Sequence, residues 1–196
     1  MEYFVYGRDR PGAFGLKMSL SEEHWSFMDG YGDLLIARGP TLTGEGDDAE
    51  STGSLHIVDL PDAEAARGFA YEEPYYLAGV FESVLLCRFR NVLGRTMWDF
   101  TETADGHGRF LVITTGEPGP APVTTGEPGP APVTSKHMIV YGELLTLDGG
   151  TRIGRAATVQ APDPETAAAL LPAGDGDRTE VHPWRFGGRP RGTPTG

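Results

Sequence analysis

Cysteine is almost missing from this chain. Cys87 stands alone among 196 residues, so no intrachain disulfide can form and nothing points to an oxidising compartment. Positive charge is also scarce: 16 Lys and Arg face 28 Asp and Glu, a formal net charge of −12. A surface that negative repels phosphate backbones and anionic lipid, which argues against nucleic acid or a membrane as partner. No apolar run approaches the ~20 residues of a membrane-crossing helix. The opening MEYFVYGRDRP has no basic start followed by an apolar core, so no leader is expected and the cytoplasm is the expected location. His24, His56, His107, His137 and His182 show no HxH or HxxxH spacing, so no metal site is expected. Nucleotide loops and the GxSxG elbow are missing too, so no cofactor is expected.

What is present is a foldable chain. Hydrophobic residues make up 39%, with 9 Phe, 7 Tyr and 3 Trp. The apolar run Tyr3–Tyr6, ended by Gly7, reads as a buried strand. Leu16–Ser21 leads into a helix with Ser21 as candidate N-cap. His24, Phe27, Met28 and Tyr31 then fall at i, i+3, i+4 and i+7, on one face. Leu34–Arg38 reads as a strand bent by Gly39-Pro40, Thr43–Gly53 as a polar loop, and Ser54–Leu60 as the next strand. Asp62 is a candidate N-cap for a helix over Ala63–Tyr71, and Glu73-Pro74-Tyr75 should break it. Phe81–Arg90 alternates, with Phe81, Ser83, Leu85, Cys87 and Phe89 on one side and Val84, Leu86 and Arg88 on the other. Cys87 among such neighbours reads as a buried, inert thiol.

Strand, helix, strand, strand, helix, strand is the split βαβ order of ferredoxin-like domains. Helices cover one face of such a sheet, and the other face needs a partner. The rest of the chain repeats the order. Arg109–Ile113, Met138–Thr146, Gly154–Ala161 and Glu180–Phe186 read as strands, and Pro162-Asp163-Pro164-Glu165 repeats the helix start Pro61-Asp62-Ala63-Glu64, with Asp163 as N-cap. Where this half should carry its first helix, the decapeptide TTGEPGPAPV occurs twice in succession within residues 114–134. Such Pro and Gly density forbids a helix and predicts an extended or disordered spacer. The predicted division is residues 1–92 as a complete unit and 93–108 as a connector in which Met97–Phe100 packs. Residues 109–188 form a degenerate second half, and 189–196 a frayed Gly/Pro/Arg-rich tail. The second half would cover the open sheet face of the first, giving a pseudo-dimer in one chain. Two independent domains on a linker are the alternative.

The first half resembles the YciI-like (YCII-related) family. The resemblance rests on the opening Tyr3-Phe4-Val5-Tyr6 strand, His24, the run LIARGP over Leu35–Pro40 and the run EEPYYLAGVF over Glu72–Phe81, and it spans about residues 1–92. It implies an α+β fold of ferredoxin-like units associating through their sheets as a dimeric α/β barrel. Here both units would lie in one chain, with the second lacking its first helix. It also implies a catalytic histidine and aspartate. His24 matches the histidine, whereas the acid falls at Glu73, one methylene longer.

A neutral imidazole is a competent general base near pH 7, and a carboxylate can orient it. A lone histidine early in a helix is by itself more often a packing or surface residue, so the resemblance is what singles out His24 and Glu73. Tyr6, Arg8, Arg38 and Tyr75 are candidate substrate-binding residues, able to offer hydrogen bonds or anion contacts. The expected function is cofactor-independent acid–base chemistry of the lyase or isomerase type (isomerisation, elimination or cyclisation) on a small organic substrate. Composition rich in Gly, Pro, Ala and Asp suggests a bacterial, specialised-metabolism setting. The alternative is a non-catalytic small-molecule-binding or accessory protein of the same fold, favoured by the reduced second half. A transcriptional or signalling module has only the acidic surface behind it. The chain is expected to act as a monomeric pseudo-dimer or a homodimer.

Overall fold

Alternation in the first strand sets the architecture. In β1 (Glu2–Asp9), Tyr3 and Val5 pack on one side while Phe4 and Tyr6 pack on the other. Both sides are therefore buried, and the sheet has apolar layers on each face. The computed structural model describes residues 1–120, 135–174 and 176–188.

Two helices follow β1: α1 (Phe14–Ser19) and α2 (Ser21–Asp29). The segment expected to lead into a helix thus forms a helix of its own. Ser21 is not the N-cap. Leu20 holds that position without a side-chain cap, because the Ser21 hydroxyl donates back to the Lys17 carbonyl at 3.3 Å. β2 (Leu35–Leu42) runs straight through Gly39-Pro40, so the expected bend does not occur. It pairs with β3 (Ser51–Asp59) across a polar turn. α3 (Ala63–Tyr71) is capped as expected, Asp62 Oδ1 accepting from the Glu64 and Ala65 amides at 3.0 and 2.8 Å. Glu73-Pro74-Tyr75 ends that helix but at once starts another, α4 (Pro74–Leu77), with Glu73 as its cap. β4 (Phe81–Asn91) completes the first half. A 3₁₀ turn over Met97–Asp99 then buries Met97 and Phe100.

The second half supplies β5 (Gly108–Pro120), β6 (Met138–Leu145), β7 (Thr151–Ala161), α5 (Pro164–Leu170) and β8 (Arg178–Pro183). Asp163 caps α5 by accepting from the Thr166 amide. β5 is longer than the expected Arg109–Ile113 and continues to Pro120 after a register irregularity against β7. The remainder of the decapeptide repeat, residues 121–134, and the tail at 189–196 lie outside the described residues. No helix falls between β5 and β6 among the described residues.

Among the described residues eight strands form one antiparallel sheet in the order β2-β3-β1-β4-β6-β7-β5-β8. Each half contributes the same internal order, first-half β2-β3-β1-β4 and second-half β6-β7-β5-β8, so the chain carries tandem ferredoxin-like halves. They join where β4 pairs with β6 over Arg88–Asn91. The opposite seam closes where the segment after β8 meets β2: Thr41 bridges Trp184, and the Arg185 and Gly187 amides donate to the Pro40 and Arg38 carbonyls at 3.2 and 2.9 Å. The sheet is thereby an α/β barrel within one chain. Its interior draws Phe4, Leu55, Cys87 and Phe89 from the first half and Leu111, Ile113, Ile139 and Trp184 from the second. Burial there pushes the Cys87 thiol up to about 12, keeping it protonated and inert. The outer faces are separate: α2 and α3 cover the first half through Met28, Phe69 and Ala70, and α5 covers the second through Ala167.

Candidate functional site

The outer layer of the first half is not uniformly apolar. Ser54, His56 and Val58 share the helix-facing side of β3, opposite Leu55 and Ile57 in the barrel. α1 and α2 present Lys17, Ser21, His24 and Met28 towards them. Between these surfaces lies a cavity of about 310 Å³, walled by Phe14, Trp25, Arg38, Tyr75 and, from the far end of the chain, Arg185–Gly188.

His24 sits on this wall and is 7% exposed; Glu73 is 3% exposed. His24 Nδ1 lies 2.9 Å from Glu73 Oε2. The short α4 explains why the carboxylate points there. As N-cap, Glu73 accepts from the Tyr75 amide at 3.2 Å through Oε2 and from the Tyr76 amide at 2.9 Å through Oε1. Both carboxylate oxygens thus act as acceptors at the start of α4. In the tautomer with the hydrogen on Nδ1, that nitrogen donates to Glu73 and Nε2 carries the lone pair. The Tyr75 ring stacks on the imidazole, centroids 4.0 Å apart and 11° from parallel, and fixes its plane. The extra methylene of Glu73 relative to aspartate does not keep it from reaching the histidine.

Two further polar groups share the cavity. His56 lies with its ring 5.4 Å from that of His24. Its pKa is held well below the ordinary 6.5 by burial first, then by His24, Lys17 and Arg38, so it is neutral at pH 7. Lys17 Nζ, 4% exposed, binds Asp9 at 2.9 and 2.8 Å, Ser51 Oγ at 2.7 Å and the Gly53 carbonyl at 3.1 Å. Burial lowers its pKa and Asp9 opposes that, so this paired cation forms a rigid corner of the site.

The other candidates divide. Arg38 and Tyr75 line the cavity with His24. Tyr6 faces the barrel interior, its hydroxyl 3.1 Å from Thr41 Oγ1. Arg8 is drawn to the second half, donating to Glu180 at 2.6 Å. The structure therefore brings neither Tyr6 nor Arg8 to the His24 cavity.

Residues 1–90 match the YCII-related domain. Over 97 residues the chain is 30% identical to the protein YciI of Escherichia coli O6:H1, an alignment covering 47% of this chain and 99% of that protein. It is 26% identical over 97 residues to an uncharacterized protein of Haemophilus influenzae, with the same coverage. The chain belongs to the YCII-related family. Among solved structures, a 5-chloro-2-hydroxyhydroquinone dehydrochlorinase from Burkholderia phenoliruptrix, in complex with 2,5-dihydroxybenzoquinone, is 26% identical. It superposes with a TM-score of 0.44, covering 46% of this chain and 94% of that one. No helix among the described residues is long and apolar enough to cross a membrane.

Proposed function

We propose that the protein is an enzyme that moves protons on a small organic molecule, with His24 as the base and Glu73 as the group that orients it. The observation that carries this reading is the 2.9 Å contact between His24 Nδ1 and Glu73 Oε2 on the wall of a cavity. A carboxylate on Nδ1 fixes the tautomer and stabilises the imidazolium that forms when Nε2 takes a proton. Nε2 then returns that proton to another substrate atom, the sequence an isomerisation, elimination or cyclisation requires. Membership of the YCII-related family supports the reading, because the resemblance implies a catalytic histidine and aspartate, for which His24 and Glu73 are the candidates here. Arg38 and Tyr75 would contact the substrate, and residues 109–188 would serve as the wall that completes the first unit.

Tautomer-resolved ¹⁵N NMR of the histidine side chains tests it. Wild-type His24 is expected as the Nδ1–H form with a slowly exchanging ring proton. Glu73→Ala should shift it towards the Nε2–H form. A His24 already in the Nε2–H form in the wild type would remove the dyad. Turnover is tested by deuterium wash-in from D₂O into a panel of small ketones and phenols. Incorporation lost in His24→Gln supports the enzyme; incorporation equal in both proteins points instead to a binding protein.

A further inference from the structure

Arg38 and His56 are direct cross-strand partners in the β2–β3 ladder, and both line the cavity that holds His24. Their environments are unequal to the other polar groups there. Lys17 is committed to Asp9 and Ser51. Arg185 turns its Nη2 to the Glu45 and Gly46 carbonyls. Arg38 Nε, by contrast, is enclosed and has no hydrogen-bond partner. The nearest carboxylate to that guanidinium, on Asp29, stands 3.9 Å from Nη1, beyond hydrogen-bond range. The C-terminal segment presses on its other side: a Cβ added at Gly188, whose φ is +124°, would come within 2.4 Å of Nη2. The guanidinium is therefore held in place with a donor unspent, an arrangement that costs free energy unless a ligand takes it up.

We infer that the Arg38–His56 pair is an oxyanion-binding site, and that the substrate is a small planar organic acid whose charged oxygen docks there while its reacting carbon faces His24. The inference rests on the reading of this cavity as a substrate site. Arg offers two parallel N–H donors to an oxyanion. His56, neutral in its buried position, can donate a further N–H without placing a second positive charge beside Arg38. With a net charge of −12 the protein as a whole repels anions, so only a local cation can draw one in. Trp25, Phe14 and Phe186 give the cavity flat apolar walls. Its volume of about 310 Å³ is at the lower end of ligand pockets, which run from about 300 to 1,000 Å³, and so fits a single ring.

Benzoate and its neutral isostere benzamide test this in the full-length protein at pH 7, by calorimetry and by the ring resonances of His24 and His56. Benzoate is expected to bind at least about tenfold more tightly than benzamide and to shift both rings. Arg38→Gln should weaken benzoate about 10- to 100-fold and leave benzamide within about threefold. Equal affinity of the two probes for the wild type, benzoate binding that leaves both rings unmoved, no binding at millimolar concentration, or full affinity in a folded Arg38→Gln would each overturn the site. The wild-type comparison decides the matter even should the variant not fold. The His24 tautomer measurement is made without ligand, so either proposal can fail while the other stands.

Discussion

The two halves share a strand order and differ in what lies outside the sheet. The first half carries α1 to α4 and, beneath them, a set of buried polar side chains: Lys17, His24, His56 and Glu73. The second carries α5 alone among the described residues, over an apolar cluster of Phe110, Val112, Met138 and Val159. A cavity with buried ionisable groups needs walls on several sides and partners for each group. Helices α1 and α2 and the cap of α4 supply both in the first half. Among the described residues the second half has one seven-residue helix to do so; this half closes the barrel and lends Arg185–Gly188 to the other half's cavity.

The sharpest test of that division is a lesion in the shared interior. Trp184→Ala, at a residue 2% exposed, should cost about 3–5 kcal/mol. Because the interior cluster spans both halves, urea denaturation followed by circular dichroism should show one transition shifted as a whole. Two separated transitions would break the picture of a single cooperative barrel. Next in size is Lys17→Met, which strands Asp9, whose side chain is 5% exposed, and should cost about 3–5 kcal/mol. Lys17→Met combined with Asp9→Asn should recover much of that loss in the same urea titration. Asp62→Ala, removing the cap of α3, should cost about 1 kcal/mol, read as a lowered melting temperature.

The smallest effect is the pH dependence set by His56. Its folded pKa lies below the unfolded value of 6.5, so the unfolded chain takes up the proton first. Stability is fully present above about pH 6.5 and falls as the pH drops towards the folded value. The stability margin of the wild type over His56→Gln should therefore shrink between pH 7 and pH 5. A margin constant over that range would show that the His56 imidazole takes up its proton as readily in the folded chain as in the unfolded one.

Much of the barrel was readable from alternation and caps. Tyr3–Tyr6, the two faces of Phe81–Arg90, and the Asp62 and Asp163 helix starts all reappear as β1, β4, α3 and α5. The misreadings were local. Ser21 bonds backwards to Lys17 instead of capping, and Gly39-Pro40 stays extended because the segment after β8 pairs with β2 there. A Cβ at residue 39 would lie 1.8 Å from the Arg185 carbonyl oxygen, so this crossing demands glycine, but only the folded chain shows what crosses. The His24–Glu73 pair was reached through family resemblance. Lys17 and His56 were missed. A lysine reads as solvent-facing until its carboxylate partner is found across the fold. His56 did carry a signal: with Ser54 it holds the polar phase of the alternation in Ser54–Asp59. The wall built by Arg185–Gly188 had no signal in local pattern, since it depends on a closure more than a hundred residues apart in sequence.

That closure has a consequence for how the cavity behaves on dilution. A wall contributed by a second molecule is present only to the extent that the two molecules associate, and it departs as their concentration falls. Here the strands that close the barrel and the segment that faces His24 are carried on the same polypeptide, and the tether holds them at a fixed effective concentration. The site is thus completed by a unimolecular step, and its occupancy by a ligand should follow a simple one-site isotherm that does not change with protein concentration.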